Sequence, residues 1–314
     1  MTQPTGSLTG VGGRAIDTED EGHHIVVRRE RKRDHVREMV AELVGARELL
    51  WRLTLRDLSL RYKQAVMGIG WALFMPVLIV GAGALIKYAM AQVGGGDLPL
   101  SRLASMALKS LPWAFFVGSI GFATPSLISN MSLVTKIYFP REVLPLSTVL
   151  TQAVDSLLGG GVVAIILFTQ AEIPFTRQML WVPLLVLLIV LLTITAALVL
   201  SCANLFFRDV KYIVQVILTF GIFFTPVFYE PELLGPIGCK LMMLNPIAPL
   251  LEGLSLSVID GHNLLYPLVT ERHGQEILAW HPLYLLYSAT WSTVGCGIAW
   301  YYFHKLEFVY AEYI

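Results

Sequence analysis

The sequence predicts an all-α integral membrane protein: six transmembrane helices, an N-terminal amphipathic interface helix, and short re-entrant outer helices between the fifth and sixth spans. Three observations carry this. Hydrophobic residues make up 55% of the 314 and charged residues only 15%, outside the range of a soluble globular chain. Six apolar runs approach or exceed the roughly 18 residues a helix needs to cross a bilayer. The basic residues are also distributed unevenly between the connectors.

Residues 1–34 are polar, mixed in charge and without an apolar core, so they read as a disordered cytoplasmic tail, neither a cleaved signal peptide nor an anchor. Residues 35–66 are expected to form an amphipathic cytoplasmic interface helix. Val36, Met39, Val40, Leu43 and Val44 recur at i, i+3, i+4, i+7 and i+8, one face of a helix. In Arg52–Tyr62 the leucines partly alternate like a strand, while Glu48, Arg52, Arg56 and Lys63 share a helical face. The helix is favoured because Trp51 and Tyr62 suit the headgroup level and the basic residues face anionic lipid or a partner.

The spans expected within 67–314 are Met67–Met90, Leu111–Ile128, Leu146–Thr169, Trp181–Leu205, Tyr212–Phe228 and Leu283–Phe303. The second and fifth are short and carry Pro125 and Pro226, which points to kinks or partial re-entry. In the third, about a dozen apolar side chains favour insertion by about 0.3–0.6 kcal/mol each, while a central Asp155 opposes it by about 2.5–3.5 kcal/mol. That helix must face protein or water, with Asp155 either lining a path or tying two helices. The connector before the last span holds two apolar stretches of about ten residues, broken at Asn245–Pro246 and too short to cross, which read as a lid on the outer face.

Placing both termini and the connectors at Lys136 and Arg208 on one side collects 17 of the 23 lysines and arginines there. The other side keeps Lys87, Arg102, Lys109, Arg177, Lys240 and Arg272. The first side is therefore cytoplasmic. Cys202, Cys239 and Cys296 lie far apart without histidines at ligand spacing, so neither a disulfide framework nor a zinc site is expected. No GxxxxGK[ST] is present, so this chain is not expected to cradle ATP phosphates by that route. The single residues Asp97, His262, His273 and His281 have no spacing that argues for catalysis, so no catalytic residue and no metal is assigned.

Five segments stand in the order of a known family: LTLRDLSLRYKQAVMGIGWALFMPV (Leu53–Val77), SLPWAFFVGSI (Ser110–Ile120), NMSLVTKIYFPREVLPLS (Asn130–Ser147), NLFFRDVKYIVQVILTFGIFFTPVFY (Asn204–Tyr229) and LNPIAPLLEGL (Leu244–Leu254). From about Ala46 to Phe303 the chain resembles the membrane subunit of ABC-2-type exporters of surface polysaccharides: O-antigen, teichoic acid and capsule. Two features depart from the family pattern. The first 45 residues have no counterpart, and Leu254–Ser255 stands where many relatives carry an aromatic and an arginine.

The resemblance implies a homodimeric channel in a bacterial inner membrane, with both termini cytoplasmic. Two P-loop ATPase subunits would hold ATP and Mg, leaving no cofactor and no enzymatic activity in this chain. The cargo would be a polysaccharide held on a lipid diphosphate carrier or a related lipid anchor, and nucleic acid is not among the partners. The connector at Lys136, Tyr138, Phe139, Arg141 and Glu142 would be the coupling helix that docks on the ATPase. Arg52, Arg56, Arg61 and Lys63 would meet the anionic lipid head at the cytoplasmic entrance, generic membrane lipids being the competing occupants. Sugar rings stack on aromatics, so the path would be lined by Trp71, Phe74, Trp113, Phe115, Phe116, Phe223, Phe224 and Tyr229, with Asp155. The alternatives are a membrane-embedded glycan or acyl transferase, an ABC exporter of a drug or small lipid, and a secondary transporter with Asp155 as proton relay.

Overall fold

In the computed structural model, residues 35–63, 100–136, 139–170, 175–272 and 274–313 are described, with scattered helical positions between 70 and 92. The expected tail (1–34), most of the expected span Met67–Met90, Trp71 and Tyr138 lie outside the described residues. The description below concerns the unit Val36–Ile314.

Helix α1 (His35–Gly45) runs into α2 (Arg47–Tyr62) across Ala46. Ala46 N–H donates to Glu42 O and Leu50 N–H to Ala46 O, both at 2.9 Å, so the helical hydrogen-bond path continues through the junction. The alternating leucines of Arg52–Tyr62 therefore lie on a helix, and Leu53 and Thr54 form its buried side.

Helix α3 (Leu100–Ala123) starts well before the expected Leu111. Arg102 and Lys109 depress the hydropathy of its first half, yet both are paired. The helix ends at Ala123, just before Thr124, the residue preceding Pro125. Two short helices follow, α4 (Ser126–Ser129) and α5 (Met131–Lys136). Helix α6 (Val143–Gln170) contains the expected Leu146–Thr169. A 3-10 turn (Arg177–Leu180) leads into α7 (Trp181–Phe206), whose start coincides with the sequence reading.

Helix α8 (Val210–Gly221) with its 3-10 extension (Ile222–Phe224) is shorter than the expected fifth span. At 1.5 Å per residue it reaches roughly 22 Å, against about 30 Å of hydrocarbon. Thr225–Pro226 ends it. A 3-10 turn at Pro231–Leu234 then bends sharply at Gly235, whose φ of 72° favours glycine, into α9 (Gly235–Met243). Helix α10 (Ile247–Val258) is buried at all twelve positions.

An antiparallel hairpin, β1 (Leu268–Arg272) and β2 (Gln275–Trp280), departs from the all-α expectation. It closes beside Gly274, at φ 73°. Helix α11 (Pro282–Tyr313) completes the chain and runs well past the expected Leu283–Phe303.

Among the described residues, three helical stretches are long and apolar enough to cross a membrane: Ser101–Ala123, Val143–Ile165 and Arg177–Phe206. Two buried clusters organise the unit. One joins α3, α7, α10 and the hairpin through Trp113, Leu185, Leu250, Leu254 and Trp280. The other joins α2, α4, α5, α6, α7 and α11 through Leu53, Leu127, Val134, Phe139, Leu198 and Phe303. Trp280 Nε1 donates to Leu264 O at 2.9 Å, so the hairpin side chain that enters the first cluster brings its polar atom to a partner. Within the segment expected as the outer lid, α10 is part of the core.

Candidate functional site

A cavity of about 820 Å³ opens between α2, α3 and α6. It is built by three local facts. The last two turns of α2 carry Arg56, Asp57, Arg61 and Tyr62 into its wall, α3 contributes Gly118 and Phe122, and α6 contributes Thr148, Gln152 and Asp155 at helical spacing. Gly118 gives the Gln152 amide its room: a Cβ on it would fall 2.7 Å from the amide carbon, and the side chain would have to swing aside.

Asp155 is 7% exposed and fully engaged. Arg61 Nη1 donates to its Oδ2 and, at 3.1 Å, to Gln152 Oε1, while Tyr62 Oη donates to Asp155 Oδ1. The Arg61 guanidinium also lies 4.3 Å from the centroid of the Phe122 ring. Burial, then the hydrogen bond to the Asp155 carboxylate, pushes the Tyr62 phenol well above its ordinary value, so it stays a donor. Asp155 is thus a tie between α6 and the end of α2, and the expected cationic entrance set is divided. Arg61 is held by Asp155. Arg56 is held by Asp57 at 2.8 Å and Asn130 at 3.1 Å. Arg52 pairs with Glu48 at the surface, and Lys63 is exposed.

The described members of the aromatic set lie in different places. Trp113 and Phe115 are core residues, with Phe116 stacked on Trp113 at 5.9 Å between centroids. Phe74, Phe223 and Phe224 are exposed, the last two on α8's extension, where Tyr229 Oη donates to Phe223 O.

The connector between α5 and α6 has two sides. Phe139 is buried in the second cluster, and Glu142 is fully buried, its Oε1 accepting from Trp300 Nε1 at 3.3 Å and lying 3.9 Å from His304 Nδ1. Neither side chain is placed to dock on another protein. Arg141 is half-buried, and Lys136 ends α5.

A second polar assembly was not legible in the sequence. Lys109, 1% exposed, donates from Nζ to Glu252 Oε2 at 3.1 Å, and one turn away Ser105 and Ser255 hydroxyls meet at 2.7 Å. Together they stitch α3 to α10. Beyond them Glu230 lies 3.3 Å from Arg102 and 3.8 Å from Arg272. By sequence alone Lys109 is one of the charges that set topology; in the fold it is the counter-ion of a buried acid. The charged groups themselves were visible, but their pairing joins positions 143 residues apart.

No group of three potential metal ligands gathers among the described residues. The model of the ABC-2 type transporter family matches residues 48–258 of this chain. Curated proteins similar to it include one named O-antigen export system permease protein RfbA from Myxococcus xanthus, 28% identical over 246 residues, which span 77% of this chain and 92% of that protein. Two from Klebsiella pneumoniae carry the same name. One is 26% identical over 204 residues (65% and 77% of the two lengths), the other 24% over 265 (84% and 94%).

Proposed function

We propose, from the premise that this chain belongs to the ABC-2 type transporter family, that it is the membrane subunit of an ATP-driven exporter of a surface polysaccharide. The observation that carries this reading is the family match over 48–258 together with relatives that bear the name O-antigen export system permease and align along most of their own length. The chain is a multi-pass membrane protein; the finer reading places it in a bacterial inner membrane with six spans and both termini cytoplasmic. Two copies form the channel, and two P-loop ATPase subunits supply the energy. ATP and Mg belong to those subunits. The cargo is a glycan on a lipid diphosphate carrier.

The mechanism follows from the connector. Force from ATPase closure enters at this connector, with the half-buried Arg141 as the proposed docking group. Phe139 and Glu142 fasten the inward side to the cluster that also holds α2, α7 and α11, so a push on the connector reaches three other helices. Glu142 and Phe139 are thereby reassigned from docking to anchoring.

The test is purification in mild detergent from the native membrane, with mass spectrometry and stoichiometry of what stays bound. A P-loop ATPase recovered one to one is the expected result. Its reproducible absence, with surface glycan unchanged in a deletion strain, would overturn the reading.

A further inference from the structure

We propose that the cavity between α2, α3 and α6 is a saccharide-binding subsite, which rests on the export reading and names a place where the glycan is held. The functional groups around it argue for a neutral polyol over the other amphiphiles a membrane offers. Among the described lining residues, Arg56 and Arg61 are balanced by Asp57 and Asp155, so the walls carry no net charge. An anionic head would have to displace the buried Asp155 carboxylate from Arg61, leaving that acid without its counter-ion. An acyl chain would desolvate two ion pairs and an amide without replacing their hydrogen bonds.

A sugar matches what remains. Each hydroxyl both donates and accepts, and the walls supply both kinds of group: guanidinium N–H groups of Arg56 and Arg61 as donors, the Asp57 carboxylate and the Tyr62 phenol oxygen as acceptors, and the Gln152 amide, whose oxygen already accepts from Arg61. Ser126, only 3% exposed, is among the lining residues, and its buried hydroxyl has no hydrogen-bond partner among the described residues. An unsatisfied buried hydroxyl is a group awaiting a ligand or water. Phe122, about half exposed at 52%, offers a ring face for the apolar C–H side of a pyranose. At about 820 Å³ the volume lies within the range of small-molecule sites and exceeds what one hexose needs. The glycine that admits Gln152 is part of the same construction: without it the amide would be pushed out of the wall.

The experiment places a benzophenone amino acid at Leu60, an exposed lining residue, in the full chain with its native ATPase, and irradiates native membranes. Adducts are then identified by mass spectrometry. Glycan fragments on the probe, lost in a strain whose cytoplasmic glycan assembly is blocked, are the expected result. Phospholipid or a second copy of this chain as the adduct in both strains would overturn the subsite. In parallel, Gln152→Leu, which keeps size and removes hydrogen bonding, should lower surface glycan about tenfold with unchanged chain level and ATPase association. Normal export by Gln152→Leu would also overturn it. Failure of the export reading is distinguishable: surface glycan then survives deletion of the whole chain.

Discussion

At the scale of single residues, Lys109 and Glu252 show what a buried charge does in this fold. Removing one partner leaves the other uncompensated in a dry interface, at a cost of about 3–5 kcal/mol, whereas replacing both with apolar residues of similar volume restores most of it. Lys109→Ala should therefore lower the thermal unfolding midpoint of the detergent-solubilised protein far more than Lys109→Met combined with Glu252→Met. Equal losses would mean that the pair does not tie α3 to α10. Glu232 nearby makes a pH prediction. Burial raises its carboxyl above the ordinary 4.5, Glu252 and Glu230 add to the rise, and Lys109 opposes it. One oxygen of Glu232 is buried without a hydrogen bond among the described residues. A carboxyl that holds its proton more tightly folded than unfolded contributes stability fully below 4.5, and the contribution fades as pH rises through the raised value. Protease resistance of the segment around Glu232 should thus fall from mildly acidic to neutral pH, and Glu232→Gln should flatten that dependence. Neither effect was legible in the sequence, because hydropathy counts a charge as a vote for water and cannot see its partner.

At the scale of elements, the sequence readings succeed where one apolar run covers nearly the whole helix, as in α7 and, despite Asp155, in α6, and drift where it does not. Helix α3 starts earlier than its hydropathy indicates because Lys109 and Arg102 have partners inside the protein. The hairpin went unread because its two strands, of five and six residues, sit in a connector already assigned to helices. The connector at 136–142 divides by burial, and this separates two kinds of variant. Phe139→Ala opens a cavity in a cluster shared by six helices and should cost about 3–5 kcal/mol, read as loss of folded protein. Arg141→Glu should leave insertion and abundance intact while ATP hydrolysis continues with reduced export, measured as transported glycan per ATP in reconstituted vesicles. A coupling ratio unchanged by Arg141→Glu would move the docking surface away from this connector. The helix assignment of Arg52–Tyr62 was legible from its charged face, but its end was not. Arg61 and Tyr62 bond to a carboxylate in mid-α6, a pairing that no local periodicity encodes.

At the scale of the whole molecule, the question is what drives transport, and the two answers treat Asp155 differently. A proton relay needs a carboxyl that exchanges with water and changes partners. In this fold Asp155 is nearly enclosed and holds Arg61 and Tyr62 together, joining the end of α2 to α6, so its geometry is that of a fastening. With ATP as the energy source, Asp155→Asn keeps the size and one acceptor, weakens the tie to Arg61, and should reduce export in proportion to the loss of folded protein. Collapse of the proton gradient should leave the wild type active as long as ATP is present. With a proton relay, Asp155→Asn abolishes transport at normal abundance, and a hydrolysis-dead ATPase partner is tolerated. Vesicles holding the chain with its ATPase distinguish these in one experiment: export is followed with ATP and an uncoupler, then with a gradient and a dead ATPase. Transport in the first condition only is the expected outcome, and transport in the second only would transfer the energy source from the partner to this chain.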